Sequence, residues 1–337
     1  MKHKLIEIIA FLCYILRIDN LFYFLNKKSK RIVTFHNVIP QKLLPHGKRI
    51  GLVDTEMSFQ MKMHEIKRHF YITTDLNDNE GLTITFDDGY CNQYDVAAPL
   101  MDGEKGIIFA CGKLYDNKKY QGALIVDLLM HWIWLVPNGT YDINCPKVLE
   151  KRIVVNTTNR GMLWQKVVWP SFLCDNETKG DGLLKALDKA FPIQTVLETC
   201  SDEYLKLRLT GFNITEIEAI RNDGWLIGWH TQEHYPLSKL NDEEKQQEID
   251  FLAPETTKFV PFSYPYGELL SVDSNCIRIA RNAGFPCAVS NMPDLNEMSG
   301  KYFLPRITLP DNKYLLHFEL SGVKYFLKNH KLMPHCV

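Results

Sequence analysis

The feature that most constrains the fold is a repeating order of strands and helices, which occurs in two separate blocks of the chain. In the first block, residues 31–36 and 82–86 predict strands because they are rich in β-branched and aromatic residues, and apolar residues at helical spacing between them predict a helix. In the second block, residues 225–229 and 287–290 predict further strands with helices around them. Strands that alternate with helices favour a parallel sheet, and we expect a barrel-like α/β fold of about seven strands.

The break between the two blocks predicts the domain organisation. We expect residues 31–113 and 205–312 to form one barrel domain and residues 114–204, where the alternation stops, to form a largely helical insertion or subdomain. Residues 1–30 predict an apolar helix and residues 313–337 a helical tail. The insertion carries four tryptophans, which we expect in a core, with stacking on sugar rings as the alternative: Trp132, Trp134, Trp164 and Trp169.

The charge balance and the cysteines limit the partners and the compartment. Lys and Arg number 39 against 40 Asp and Glu, so no overall field attracts nucleic acid, and we expect no nucleic-acid partner. The 9 cysteines are odd in number and contain no CxxC pair, which indicates reduced thiols and a cytoplasmic protein. The sequence does not predict an oligomeric state.

The start of the chain is apolar without the pattern of an export signal. Glu7 and Arg17 interrupt the apolar stretch, and no small-residue cleavage site follows it. The stretch is also too short and too charged to span a bilayer. We expect a helix that packs on the domain or contacts a membrane surface through residues 5–22, which would place the protein peripherally at the inner membrane face.

Polar residues follow four of the predicted strands. His36, the pair Asp87 and Asp88, His230, and the pair Ser263 and Tyr264 each stand where a strand ends. Because the loops that leave the carboxyl ends of such strands share one face, we expect these side chains to meet in one pocket.

The residue types at these strand ends suit a metal. His230 and His234 with one carboxylate form a three-ligand set that leaves a fourth position open, as in a catalytic zinc site. The second of the adjacent carboxylates can then take a proton from water. Taken singly, Asp-Asp-Gly also suits a plain turn, and a pair of histidines four residues apart also occurs by chance. A haloacid-dehalogenase phosphatase is excluded by the spacing of the two aspartates.

Three motifs in this order resemble the polysaccharide deacetylase family, carbohydrate esterase family four with the NodB-homology domain. They are TFDDGY at 85–90, HTQEH at 230–234 and FSYPYG at 262–267. The resemblance implies a distorted (β/α) barrel, a divalent metal, most often Zn²⁺, and hydrolysis of N-acetyl groups on the sugars of a polysaccharide or glycan precursor. It implies Asp87 as general base, Asp88, His230 and His234 as metal ligands, and the backbone amide of Tyr266 as an oxyanion donor.

Two departures from the family pattern leave roles open. Many members have Arg where this chain has Ser263, and we expect either that Arg306 replaces it as the partner of Asp87 or that Arg306 is a structural surface residue. For the general acid we favour His36 over His317, because residues 314–320 predict a helix rather than the fifth family motif.

Two other functions compete with the enzyme. The missing Arg and the doubtful acid favour, as one alternative, a catalytically weak carbohydrate-binding relative that keeps its metal. The other is a structural metal site, which the spare carboxylate argues against. For both the deacetylase and the carbohydrate-binding relative, the expected partner is an N-acetylated oligosaccharide or polysaccharide.

Overall fold

A computed structural model of the chain describes residues 2–78, 80–114, 123–250, 260–293, 298 and 300–333. Its strands are β1 Arg31–Phe35, β2 Asn37–Ile39, β3 Val53–Thr55, β4 Leu82–Asp88, β5 Ile107–Ala110, β6 Gly139–Cys145, β7 Leu149–Val155, β8 Leu226–Trp229, β9 Phe262–Ser263, β10 Ala288–Val289 and β11 Ile307–Thr308. Its helices are α1 Lys2–Ile15, α2 Ile18–Leu25, α3 Glu56–His69, α4 Asn92–Asp95, α5 Ala97–Leu100, α6 Ile125–Leu135, α7 Arg160–Leu163, α8 Trp169–Cys174, α9 Asp181–Ala190, α10 Ile193–Leu197, α11 Asp202–Leu209, α12 Ile214–Asn222, α13 Asp242–Ile249, α14 Ser274–Asn282, α15 Lys313–Leu320 and α16 Val323–Asn329.

A parallel sheet organises the molecule. Among the described residues it has seven strands in the order β10-β9-β8-β5-β4-β1-β11, and every neighbouring pair is parallel. The sheet curls into part of a barrel with helices around it, which confirms the predicted α/β barrel of about seven strands. All carboxyl ends of these strands therefore lie at one edge.

The sheet is buried on both faces, as a parallel sheet with helical crossovers requires. Every residue of β4 is buried, including its two terminal aspartates. Phe86 belongs to an apolar cluster with Phe59 of α3, while Trp229 belongs to a second cluster that includes Trp132 of the insertion. Burial on both faces holds the strand ends in fixed positions.

The insertion contains a β-hairpin that the sequence analysis did not predict. β6 and β7 pair antiparallel over their whole length, and burial alternates along β6 and, except at Lys151, along β7, with Ile143 and Ile153 turned inward. The rest of the insertion is mainly helical over its described residues 123–204, and many of its apolar residues share one cluster with the barrel. The boundaries of the predicted domains stay predictions.

The N-terminal helices pack on the barrel with one side and expose the other. α1 contacts α15, and Ala10, Cys13 and Phe22 are buried with Phe318. The opposite side exposes large apolar residues: Leu5, Ile6, Ile8, Phe11, Leu12, Ile15, Leu16, Leu21, Phe24 and Leu25. Within the described ranges no single helix has the length and hydropathy to cross a membrane, and residues 4–15 and 18–25 meet that test only as a pair bent by 81°.

Candidate metal centre and active site

The strand ends bring the predicted site residues together. His36 follows β1, Asp87 and Asp88 end β4, His230 follows β8, and Ser263 ends β9. Gln93 donates from its side-chain amide to the carbonyl oxygens of His36, at 2.7 Å, and of Asp87, which ties the ends of β1 and β4 to each other.

Asp88, His230 and His234 form a compact, buried triad. Oδ1 of Asp88 lies 3.8 Å from Nε2 of His230 and 3.3 Å from Nε2 of His234. Ligand atoms about 2.0–2.1 Å from a tetrahedral zinc ion lie roughly 3.3 Å from one another, so these separations suit one ion. Both Asp88 and His234 have left-handed backbone, with φ of 83° and 59°, a strained state that recurs at functional sites.

The surroundings of His230 fix which of its ring nitrogens faces the triad. Nδ1 lies 2.7 Å from the backbone carbonyl of Ser263, which can only accept, so Nδ1 carries the proton and donates. Nε2 therefore presents a lone pair to Asp88. A metal-ligating histidine is commonly oriented by such a bond from its second nitrogen.

The unpartnered atoms of the triad fit a divalent cation. Oδ1 of Asp88, Nε2 of His230 and Nδ1 of His234 are buried without a hydrogen-bond partner. Burial, Asp127 and Asp87 raise the pKa of Asp88 well above its usual value, and the guanidinium groups of Arg208 and Arg306, which lower that pKa, offset them only in part. A cation would supply further positive charge and satisfy Oδ1 of Asp88 and Nε2 of His230 together, whereas His234 faces Asp88 with Nε2 and not with Nδ1.

Asp87 has a different environment from its neighbour, because a buried guanidinium binds it. Arg306 donates from Nη1 to Oδ1 at 2.7 Å and from Nη2 to Oδ2 at 2.5 Å, and Ser263 donates to Oδ1 at 3.2 Å. Burial raises the pKa of Asp87, but Arg306 outweighs it and holds that pKa well below its usual range. Asp87 is therefore ionised at neutral pH.

Arg306 is held from every side and is not a surface residue. It is fully buried, and it also donates to the carbonyl of Ser290 at 2.8 Å, to Thr85 at 3.1 Å and to Asn291 at 2.6 Å. The small Ser263, which replaces the family's Arg in the third motif, accepts from Arg306 at 3.0 Å. The guanidinium that binds Asp87 thus comes from the residue just before β11, and not from β9, where Ser263 lies.

The two histidines considered as general acid lie in different places. Nε2 of His36 is 3.9 Å from Oδ2 of Asp87, and the ring lines the pocket; burial, which outweighs Asp87, lowers its pKa to about 4. His317 lies within α15, as predicted for residues 314–320, and contacts Asp19 and Glu65 instead of the pocket. Of the two, only His36 can reach a substrate in this pocket.

Tyr266 forms part of the pocket wall. Its ring centroid lies 4.7 Å from that of His234, its backbone is left-handed with φ of 60°, and Asn291 donates to its carbonyl at 3.1 Å. Its hydroxyl is buried without a hydrogen-bond partner. The role of its amide as an oxyanion donor stays a prediction.

The insertion contributes the opposite wall, which the sequence analysis did not predict. The pocket has a volume of about 520 Å³ and is lined by Trp164, Gln165 and Trp169 from the insertion.

A buried ion pair of Asp127 and Arg208 also lines the pocket. Arg208 donates to Oδ1 of Asp127 at 2.5 Å, and Tyr90 of the first motif donates to Oδ2 of Asp127 at 2.5 Å. No spacing in the sequence marks this pair, because its members come from helices far apart in the chain.

Comparison with known proteins places the fold. No protein-family model matches the chain, and no curated protein matches it either. The Streptococcus pyogenes deacetylase PplD, solved in complex with acetate, is 12% identical, and the match covers 91% of this chain and 98% of that chain with a TM-score of 0.50. A polysaccharide deacetylase from Bacillus cereus is 12% identical, covering 87% and 68% of the two chains with a TM-score of 0.49. IcaB from Ammonifex degensii is 11% identical, covering 87% and 96% with a TM-score of 0.47. The likeness to PplD shows that the chain has the fold of that deacetylase, as its three motifs predict.

Proposed function

We propose that the chain is a metal-dependent hydrolase that removes N-acetyl groups from sugars of a polysaccharide or glycan precursor. The observation that carries the proposal is one pocket in which a His-His-Asp triad adjoins a second carboxylate held by Arg306. Two imidazoles and one carboxylate with an open fourth position favour Zn²⁺ as the ion. When bound, such an ion supplies Lewis-acid polarisation of a carbonyl oxygen and lowers the pKa of water.

The residues of the chain supply the proton transfers. Asp87 is buried, ionised and fixed in orientation by Arg306, so one of its oxygens can accept the proton of an attacking water. His36 lies 3.9 Å from Asp87 and lines the pocket. Because burial lowers its pKa, the ring is neutral at rest, so it would deliver to the departing amine a proton that has first left the attacking water by way of Asp87. Replacing His36 with Ala should lower kcat by about 100-fold; an unchanged kcat would remove His36 from the mechanism.

The walls of the pocket suit a sugar. Trp164, Trp169 and Tyr266 present aromatic rings, while Glu268 and Asn291 present polar groups, a mixture typical of small-molecule sites. The contact between Arg306 and Asp87 also supplies the partner whose absence from the third motif favoured a catalytically weak relative. We therefore do not propose that alternative.

The decisive experiment measures acetate release from N-acetylglucosamine oligomers together with the metal content of the same protein. We expect release by the wild type, a loss of about 100- to 10,000-fold in the Asp87→Asn variant, and bound metal in both. Loss of metal along with activity in Asp87→Asn would assign Asp87 to the metal instead. No acetate release by a metal-loaded wild type on N-acetylated sugars would refute the proposed function.

We also propose that the N-terminal helices bind the cytoplasmic face of a membrane. Their exposed apolar side is flanked by the basic residues Lys4, Arg17 and Lys27, which complement anionic lipids. The eight cysteines within the described residues are free thiols, which supports a reducing compartment. The wild type should sediment with phosphatidylglycerol vesicles, and a Leu12→Glu/Leu16→Glu variant should not. Equal sedimentation of the two proteins, or none of either, would contradict the proposal.

A further inference from the structure

A second cluster of metal-ligating side chains lies away from the pocket. Glu65 and His69 of α3 and His317 of α15 bring one carboxylate and two imidazoles together, with ligand atoms within 4.8 Å of one another. Nε2 of His317 is 3.4 Å from Oε2 of Glu65. None of the three lines the pocket, and the proposed reaction uses none of them.

Two nitrogens of this cluster are left without partners. Nε2 of His69 and Nε2 of His317 are buried and have no hydrogen-bond partner, and His317 is only 3% exposed. An unsatisfied buried polar atom costs about 1–3 kcal/mol, so a native fold rarely keeps two beside each other without reason. A cation bound by both nitrogens and Glu65 would satisfy them at once.

Helix α2 orients both imidazoles toward the cluster. Nδ1 of His317, the nitrogen turned away from Glu65, lies 3.4 Å from Oδ2 of Asp19 and 3.3 Å from the hydroxyl of Tyr23. The ring of Tyr23 stacks on His69, with centroids 3.8 Å apart and planes 4° apart. A carboxylate on the second nitrogen is the arrangement that directs a histidine ligand toward a metal.

We propose that Glu65, His69 and His317 bind a second divalent cation, of the zinc class, which joins α3 to α15. Imidazole with carboxylate suits such transition-metal ions better than Mg²⁺ or Ca²⁺, which prefer oxygen alone. The ion has competitors for Glu65, since Arg68 lies 3.1 Å and Lys313 3.5 Å from its oxygens. Both are long side chains with roughly half of their surface exposed, so they can turn away to solvent. We expect weaker binding than at Asp88.

The test counts zinc in the full chain after equilibrium dialysis at a fixed free concentration. The wild type should hold about two ions per chain, and His69→Gln/His317→Asn and His230→Asn/His234→Gln should each hold about one. His64→Gln is the matched control, because His64 is exposed on the same helix α3, and it should keep about two ions. A single ion in the wild type, or two ions in His69→Gln/His317→Asn, would overturn the proposal.

A milder variant guards against misfolding of the double substitution. Asp19→Asn removes only the charge behind His317, and loss of such an outer partner weakens a metal site by about 10- to 100-fold. Titration should therefore show one zinc affinity lowered by that factor and the other unchanged. Two unchanged affinities in a folded Asp19→Asn protein would contradict the proposal and place the second ion elsewhere than beside His317.

Discussion

At the scale of single residues, the two adjacent aspartates differ because their neighbours differ. Asp87 is bound by a guanidinium, which lowers its pKa, while burial and the nearby carboxylates of Asp127 and Asp87 raise the pKa of Asp88. Two like groups whose environments separate their pKa values commonly have two roles. The difference supports Asp88 as the ligand and Asp87 as the base, and it depends on Arg306.

Replacing Arg306 with Lys tests that dependence. Lysine keeps one positive charge but cannot donate to both oxygens of Asp87 in a fixed plane, so the carboxylate loses its orientation. We expect kcat/KM for deacetylation to fall by about 100-fold with the metal content unchanged. Arg278→Lys is the control, since Arg278 is exposed on α14. If the two variants were equally active, Arg306 would have only a structural role.

At the scale of elements, the strands were predictable where their residue types and their burial agree. Residues 82–86 are β-branched and aromatic and lie in a fully buried strand. A helix start was predictable in the same way from its capping residues: Asn241 and Glu244 form the capping box at which α13 begins. The hairpin of β6 and β7 was not predicted because Lys151, which is in phase with the buried Leu149 and Ile153, interrupts the apolar alternation of β7. The sequence could not establish the contact of Arg306 with Asp87, because 219 positions separate the two residues and only the fold brings them together.

One element of the insertion has a shape that suits binding. Residues Trp164–Val168 form a π-helical turn between α7 and α8, a rare form that is frequent at functional sites. This turn places Trp164 and Gln165 at the pocket, although we had expected the tryptophans in a core. Of the four, Trp132 is fully buried, whereas Trp164 and Trp169 are half-buried at the pocket.

Replacing Trp164 with Leu should therefore weaken substrate binding. Loss of an aromatic contact of about 0.5–1.5 kcal/mol corresponds to a KM for N-acetylglucosamine oligomers raised roughly two- to thirteenfold, with kcat little changed. Phe191→Leu is the matched control, because Phe191 is half-buried in the same insertion, does not line the pocket and packs edge to face against Tyr141 instead of Trp164. An equal KM in wild type and Trp164→Leu would exclude contact between this ring and the substrate.

At the scale of the whole molecule, a buried polar network joins the insertion to the barrel behind the pocket. Asp127 of α6 receives hydrogen bonds from Tyr90 of the barrel and from Arg208 of α11. His131, one turn further along α6, lies with Nδ1 2.6 Å from the carbonyl of Asp127 and Nε2 2.9 Å from the hydroxyl of Tyr204. Nδ1 therefore donates, and the neutral ring is satisfied at both nitrogens.

This network predicts how stability depends on pH. Burial, reinforced by Arg208, lowers the pKa of His131 to about 4, against about 6.5 in the unfolded chain. Between these values the unfolded chain binds the proton and the folded chain does not, so the stabilisation is complete above about pH 6.5 and is lost as the pH falls toward 4. From about pH 7 to about pH 4.5 this one group should lower the free energy of unfolding by roughly 2–3 kcal/mol.

Urea unfolding of the wild type and of His131→Gln at these two pH values separates this contribution from those of other groups. The variant should be less stable at neutral pH, because it loses the bonds to Asp127 and Tyr204. On acidification its free energy of unfolding should fall by roughly 2–3 kcal/mol less than that of the wild type. His64→Gln, on the exposed side of α3, should keep the full loss of the wild type. Equal losses in wild type and His131→Gln would mean that His131 is protonated in the folded state at little cost, because Asp127 then offsets the burial of the charged ring.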